Sequence, residues 1–244
     1  MSTGWNSESC RDYSPAGPKA SHNRRRDGNG RWVRATLALD HPAVDRVTAI
    51  GRRKLGISNP KLEEVLHPDF ADCSALAEPL GGQDVLVFCL GAYTGAVSDT
   101  ELRKVTVDYT IEFARVFYAA SPAADFSFLS GSGADPTGRS RLAFARYKGE
   151  AENALCAVGF PHVYIFRPAY IYPVQPRTEP NFGYRLLRSI YPVFRMLLPD
   201  QVIRADDLAR AMVDIAIRAN GEPGGMVLEN RDIQARVETP NRAH

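Results

Sequence analysis

Arg46-Val-Thr-Ala-Ile-Gly-Arg-Arg-Lys54 sets a short apolar run against a glycine and then three cations. A run of this length, closed by a turn residue, suits a strand covered on both faces, as in a parallel sheet. The pattern recurs at Asp84-Val-Leu-Val-Phe-Cys-Leu90, again closed by a glycine, Gly91. Asp125–Ser130 (DFSFLS), a strand within Val163–Ile171 interrupted at Arg167-Pro168, and Met226–Glu229 (MVLE) complete the predicted set. Helical patterns separate them. Thr100–Ala120 is one, with Asp99 as its expected N-cap. The others are Arg141–Val158, Phe182–Leu197 broken at Pro192, and Asp206–Ala219 with apolar residues at 208, 212, 215 and 216. Strands alternating with helices predict an α/β fold, a Rossmann-type doubly wound parallel sheet with right-handed crossovers.

Composition narrows the class. The chain has 244 residues, 44% of them hydrophobic and 24% charged, as expected of a globular protein. No apolar run reaches the length of a membrane helix, so no membrane association is expected. No apolar segment of secretory type lies near residue 1. Cys10, Cys73, Cys89 and Cys156 form no CxxC pair, so neither a metal site nor a disulfide framework is expected. A reducing cytoplasmic location fits that cysteine usage. Residues 1–34 carry a net +4 against +2 for the whole chain, which leaves −2 for the remainder. The folded part is therefore not expected to present a basic face to nucleic acid.

Chemistry concentrates at the strand ends. In a doubly wound sheet an acid after the second strand grips the ribose 2′-OH of NAD, whereas an arginine pairs with the 2′-phosphate of NADP. Arg52 and Arg53 hold that position, and a guanidinium–phosphate pair can be bidentate. The alternative is a solvated basic turn. Leu90 and Gly91 end a central strand, where a glycine lets a ligand approach the backbone. Ser130-Gly-Ser-Gly133 precedes Phe144-Ala-Arg-Tyr-Lys148. In short-chain dehydrogenases a serine at a strand end joins a Tyr-x-x-x-Lys helix. There the tyrosine is the general acid, and the lysine lowers its pKa and holds the nicotinamide ribose. Here Lys148 is in place, with Ser130 or Ser132 as the serine, but Phe144 stands at the tyrosine position. Tyr147 is the substitute donor to weigh, although three residues on place it about 60° round the helix from Phe144. The plainer alternative makes Lys148 a surface lysine paired with Glu152. Arg167, counted with the candidate cofactor-binding residues, lies with Pro168 on the substrate side of the sheet, where Tyr170 and Tyr172 are candidates to line a pocket.

Taken in order, GRRKL, FCLG, LSGSGAD, YKGEAENAL, FRPAYIY, LPD and VLEN resemble the atypical short-chain dehydrogenases related to the Tat-interacting protein family, over roughly Leu37 to Ile233. The resemblance implies an NADP(H)-binding Rossmann fold with an oxidoreductase or redox-sensing role. It implies Arg52 and Arg53 at the 2′-phosphate, Asp69 near the adenine, Gly91 by the adenosine, and Ser130 or Ser132 with Lys148 at the reacting end. The substrate expected is an unidentified small carbonyl compound, and a homodimer is the oligomer to test for. Phe144 predicts weak carbonyl reduction. The alternatives are a non-catalytic nucleotide-binding or sensing protein, and a degenerate product that binds no cofactor.

The resemblance also implies a first strand and a Gly-x-x-Gly-x-x-Gly turn, whose backbone N–H groups approach a pyrophosphate. Counting back from Arg34–Leu37, the glycine positions fall on Asp27, Gly30 and Val33, and only Gly30 matches. Residues 1–30 contain no Val, Ile, Leu or Phe. The expectation is therefore a disordered or aberrant tail over 1–33, such as a shifted reading frame would give. A Rossmann-like domain over 34–244, with a small C-terminal substrate-side segment, would follow it, its first strand and glycine loop missing or degenerate.

Overall fold

The computed structural model describes residues 2–6, 30–92, 97–172, 201–218 and 225–238. Nine strands and six α-helices are named here in chain order: β1 Ser2–Asn6, α1 Gly30–Leu39, β2 Arg46–Gly51, β3 Leu62–Leu66, β4 Val85–Phe88, α2 Asp99–Arg103, α3 Tyr109–Ala120, β5 Asp125–Leu129, α4 Ala143–Val158, β6 Val163–Arg167, β7 Tyr170–Tyr172, β8 Val202–Arg204, α5 Ala205–Arg218, β9 Met226–Glu229 and α6 Asn230–Glu238. Seven strands form one sheet in the order β3-β2-β1-β4-β5-β6-β9, and every neighbouring pair is parallel. This is the doubly wound arrangement, with its reversal of strand order beside β1.

The alternation of side chains along β4 builds the core. Val85, Val87 and Cys89 face one apolar cluster, which includes Ala38 and Leu39 of α1 and Leu208, Met212 and Ile215 of α5. Leu86, Phe88 and Leu90 face the other, which includes Phe113 and Phe117 of α3 and Leu155 of α4. Period-two alternation places successive side chains on opposite faces, so an all-apolar strand is covered on both. Aromatic rings fill the second layer: Phe88 and Phe113 have centroids 5.2 Å apart and Phe88 and Phe126 5.9 Å, spacings at which ring quadrupoles attract.

Several expectations need correction. A first strand is present. Ser2–Asn6 pairs with β2 (Ser2 opposite Arg46) and with β4 (Thr3 opposite Val85). Hydrogen bonding on both edges holds a segment that lacks branched aliphatics, because context outweighs intrinsic strand preference. The segment expected as a tail thus contributes the middle strand, and α1 begins at Gly30 within it, while residues 7–29, which include Asp27, lie outside the described part. Asp99 does not cap its helix; Ser98 does, its hydroxyl accepting from the Glu101 N–H at 3.2 Å. The expected helix 100–120 is α2, a π-helical turn at Lys104–Asp108, and α3. Phe182–Leu197 lies outside the described residues. β3, β8 and α6 were not predicted; β3 reads Leu-Glu-Glu-Val-Leu, with no clean alternation at this sheet edge. β7 and β8 form a separate two-stranded parallel sheet.

A close approach seats α4. A β-carbon added at Gly149 would lie 2.0 Å from the Asp135 carbonyl oxygen. The Asp135 N–H donates to the Ala145 carbonyl at 2.8 Å, and the Asn153 amide donates to the Pro136 carbonyl at 2.8 Å. The loop after β5 therefore lies directly on the helix. Gly149→Ala should cost about 1–3 kcal/mol, read as a lower urea midpoint with an unchanged slope, as overpacking does.

Candidate functional site

Ligands of doubly wound sheets bind outside the carboxyl ends of the strands, where the strand order reverses. Here that point lies between β1, ending at Asn6, and β4, ending at Phe88. Around it stand the ends of β2 at Gly51, β5 at Leu129 and β6 at Arg167.

Beyond β2, Arg52 and Arg53 are both exposed. Arg52 is nevertheless held: its Nε donates to the Pro68 carbonyl at 3.1 Å, and its guanidinium lies 6.0 Å from the Phe70 ring centroid. Cation–π contact and a backbone acceptor restrict a side chain that would otherwise sample many rotamers. Asp69, expected near the adenine, is exposed and accepts from the Ala71 N–H at 2.9 Å, closing a local turn. Leu90 is buried and Gly91 is half-buried beyond the end of β4. Gly30 opens α1.

At the other end of the site, Lys148 is no surface residue. It is 6% exposed, its Nζ donates to the Leu129 carbonyl at 2.9 Å, and it sits 4.8 Å from the Phe128 ring centroid. The position one turn earlier on α4 holds the Phe144 ring, which lies against Gly131; a β-carbon there would meet the ring at 2.7 Å. Tyr147 does not take over. Its hydroxyl donates to Asp99 Oδ2 at 2.7 Å, and that bond, with burial adding to it, raises the phenol pKa. The 60° offset along α4 thus carries Tyr147 toward the start of α2. Ser132 is exposed, with its backbone N–H bonded to the Pro168 carbonyl at 2.9 Å.

Ser130 belongs to a buried network that the sequence did not reveal. Its hydroxyl donates to Glu152 Oε1 at 2.5 Å. Glu152, 2% exposed, also receives Arg167 Nε at 3.0 Å and Nη2 at 2.6 Å. Arg167 Nη1 reaches Glu229 at 3.0 Å. Hydrogen bonds to the two carboxylates raise the guanidinium pKa further, so it stays charged. Glu152 is therefore the partner of Arg167 and not of Lys148, and the Arg167 fork is directed at protein carboxylates. The spacing of Lys148 and Glu152 suggested a helical pair; only the fold shows that Glu152 faces β6.

Arg34 is the second residue the sequence did not single out. It lies in α1, is 3% exposed, and its Nε and Nη2 have no hydrogen-bond partner among the described residues. Nearby, burial raises the pKa of the Cys89 thiol, while the charges of Arg34 and Lys148 oppose that rise. The charges of two cations, one on α1 and one on α4, thus bear on Cys89, the residue after β4. A trace of this was legible: Arg34 shares a helical face with Ala38.

No family model matches the sequence. Protein fmp52, mitochondrial, of Emericella nidulans is 28% identical over 200 residues, spanning 78% of this chain and 84% of that protein. That relative overturns the expected cytoplasmic location, since its name places it in the mitochondrion. Among solved structures, DesIV, a dTDP-glucose 4,6-dehydratase from Streptomyces venezuelae with NAD and TYD bound, superposes with a TM-score of 0.62 at 16% identity, covering 97% of this chain and 80% of that one. WbmH of Bordetella bronchiseptica, in complex with NAD+, gives 0.60 at 16% identity, covering 93% and 75%. MoeE5 with UDP-glucuronic acid and NAD gives 0.61 at 14% identity, again covering 93% and 75%. At these identities the likeness establishes the fold: a Rossmann-like parallel sheet of the kind found in NAD-bound dehydratase and related structures.

The buried network yields a stability prediction. Removing one member of a buried ion pair leaves the other uncompensated, at about 3–5 kcal/mol. Glu152→Ala should therefore destabilise by an amount near the lower end of that range, since Glu229 still faces Arg167, with equilibrium urea unfolding as the measurement. A loss under about 1 kcal/mol, typical of exposed pairs, would show that the pair is not buried in solution.

Proposed function

We propose that this chain is a nicotinamide-dinucleotide-binding protein of the short-chain dehydrogenase type, that it prefers NADP(H), and that its capacity for carbonyl reduction is weak. The observation that carries the proposal is the pair Arg52 and Arg53 at the end of β2, with Arg52 braced by Pro68 and Phe70. A strand end in this position meets the adenosine ribose, and two guanidinium groups there suit a 2′-phosphate. The order of strands, the cations near Cys89 and the motifs shared with the Tat-interacting protein group support the same ligand.

Bound NADPH would supply a hydride. Lys148, fixed at the end of β5, would hold the nicotinamide ribose. Delivery of the matching proton is what the three candidate positions do not provide. Phe144 carries no hydroxyl, the Tyr147 proton is directed to Asp99, and the Ser130 proton is directed to Glu152. General acid catalysis is worth about 10²–10⁴-fold, so a small carbonyl substrate would turn over slowly. Binding without turnover, a sensing role, is the second reading, and the commitment of both hydroxyls favours it. The name of the fmp52 relative supports a mitochondrial setting.

At roughly 100 times Kd, NADPH should stabilise the protein by about 2.7 kcal/mol, raising Tm by about 5–10 °C. NADH at equal concentration should do less. Arg52→Glu should abolish the difference; an unchanged preference would remove the 2′-phosphate assignment. Phe144→Tyr restores a hydroxyl one turn before Lys148. It should raise NADPH oxidation across an aldehyde and ketone panel by about 10²-fold or more, followed at 340 nm. If wild type already turns over as fast as that variant, proton delivery has another source.

A further inference from the structure

Arg34 is the described arginine whose surroundings least explain it. A guanidinium does not deprotonate in a protein, and a buried charge costs several kcal/mol unless it is paired. Arg34 is 3% exposed, and neither Nε nor Nη2 finds an acceptor among the described residues. Arg34 is the fifth residue of α1, and helical side chains tilt toward the helix N-terminus, which turns this one toward the start of α1 as a general tendency of helices. α1 is the first described element after β1 in the chain, and the charges of Arg34 and Lys148 both bear on Cys89, the residue after β4. A helix N-terminus already favours anions through its free N–H groups and dipole.

The glycine count adds an independent observation. Where the resemblance calls for three glycines, only Gly30 is present. A buried pair of N–H donors on α1, Arg34 Nε and Nη2, can supply phosphate contacts by side chain.

We propose that Arg34 is a side-chain ligand of the pyrophosphate of a bound dinucleotide, with its Nε and Nη2 donating to phosphate oxygens. The proposal rests on the dinucleotide reading above and names a contact that reading does not contain. The pyrophosphate is common to NADH and NADPH, so Arg34 acts on both, whereas Arg52 acts on the 2′-phosphate of one.

The test is calorimetric titration of the full chain, wild type and Arg34→Met, with NADPH, NADH, adenosine and inorganic pyrophosphate, together with melting of the ligand-free proteins. Arg34→Met should lose about 10–100-fold in affinity for NADPH and NADH alike, as expected for charged hydrogen bonds, and should bind adenosine as wild type does. Its ligand-free Tm should equal or exceed that of wild type, because an uncompensated buried charge has been removed. Arg34→Lys, which keeps the charge and loses the fork, should fall between the two in dinucleotide affinity. The proposal is overturned if Arg34→Met binds NADH as tightly as wild type. It is overturned equally if the ligand-free variant melts several degrees lower, since the guanidinium would then have an internal partner. If wild type binds neither dinucleotide, the dinucleotide reading fails. Binding of pyrophosphate that still depends on Arg34 would, in that case, leave the anion site standing.

Discussion

Hydrogen bonding of Ser2–Asn6 along both its edges is the constraint on which the molecule depends. β2 and β4 do not meet; each meets β1. Without the middle strand, two rows of backbone donors and acceptors inside the sheet would be left unmatched, and an unsatisfied buried polar group costs about 1–3 kcal/mol. The strand itself, Ser-Thr-Gly-Trp-Asn, holds no branched aliphatic residue. Its place is fixed by what lies beside it, Val47–Ile50 on one side and Val85–Phe88 on the other. The same placement sets the reversal of strand order between β1 and β4, the point outside which doubly wound sheets bind ligands in a crevice.

The fold distributes charge along that crevice unevenly. Arg52 and Arg53 stand beyond β2, Arg34 approaches from α1, and Lys148 approaches from α4. Farther across the sheet, Arg167 is held between Glu152 and Glu229. The hydroxyls that sequence motifs associate with proton transfer are bonded to carboxylates: Ser130 to Glu152 and Tyr147 to Asp99. Binding chemistry is therefore better provided for than acid catalysis, and the single ring of Phe144 accounts for much of the difference.

The strands β2, β4, β5, β6 and β9 were legible because each is a short apolar run between turn residues, and α5 because its apolar positions repeat with helical spacing. β1 was not, since composition alone argues against Ser-Thr-Gly-Trp-Asn as a strand; only its neighbours supply the reason. β3 was hidden by its glutamates, which an edge strand tolerates. Within the site, Lys148 and Phe144 could be read from spacing, and so could the cations after β2. The Glu152–Arg167 pair joins residues 15 apart through the third dimension, and the burial of Arg34 depends on how α1 rests against α5 and the sheet. Helical spacing sets Arg34 on the face of Ala38 but does not show that its guanidinium is buried, and no spacing shows that Glu152 and Arg167 pair.

The Glu152–Arg167–Glu229 cluster has a consequence for what could occupy the far end of the crevice. Two carboxylates share the Arg167 guanidinium, so its fork is turned to protein groups, and Lys148 Nζ is bonded to the Leu129 carbonyl. An anion is more easily accommodated beyond β2, where Arg52 and Arg53 are exposed, than beside a guanidinium already held by two carboxylates.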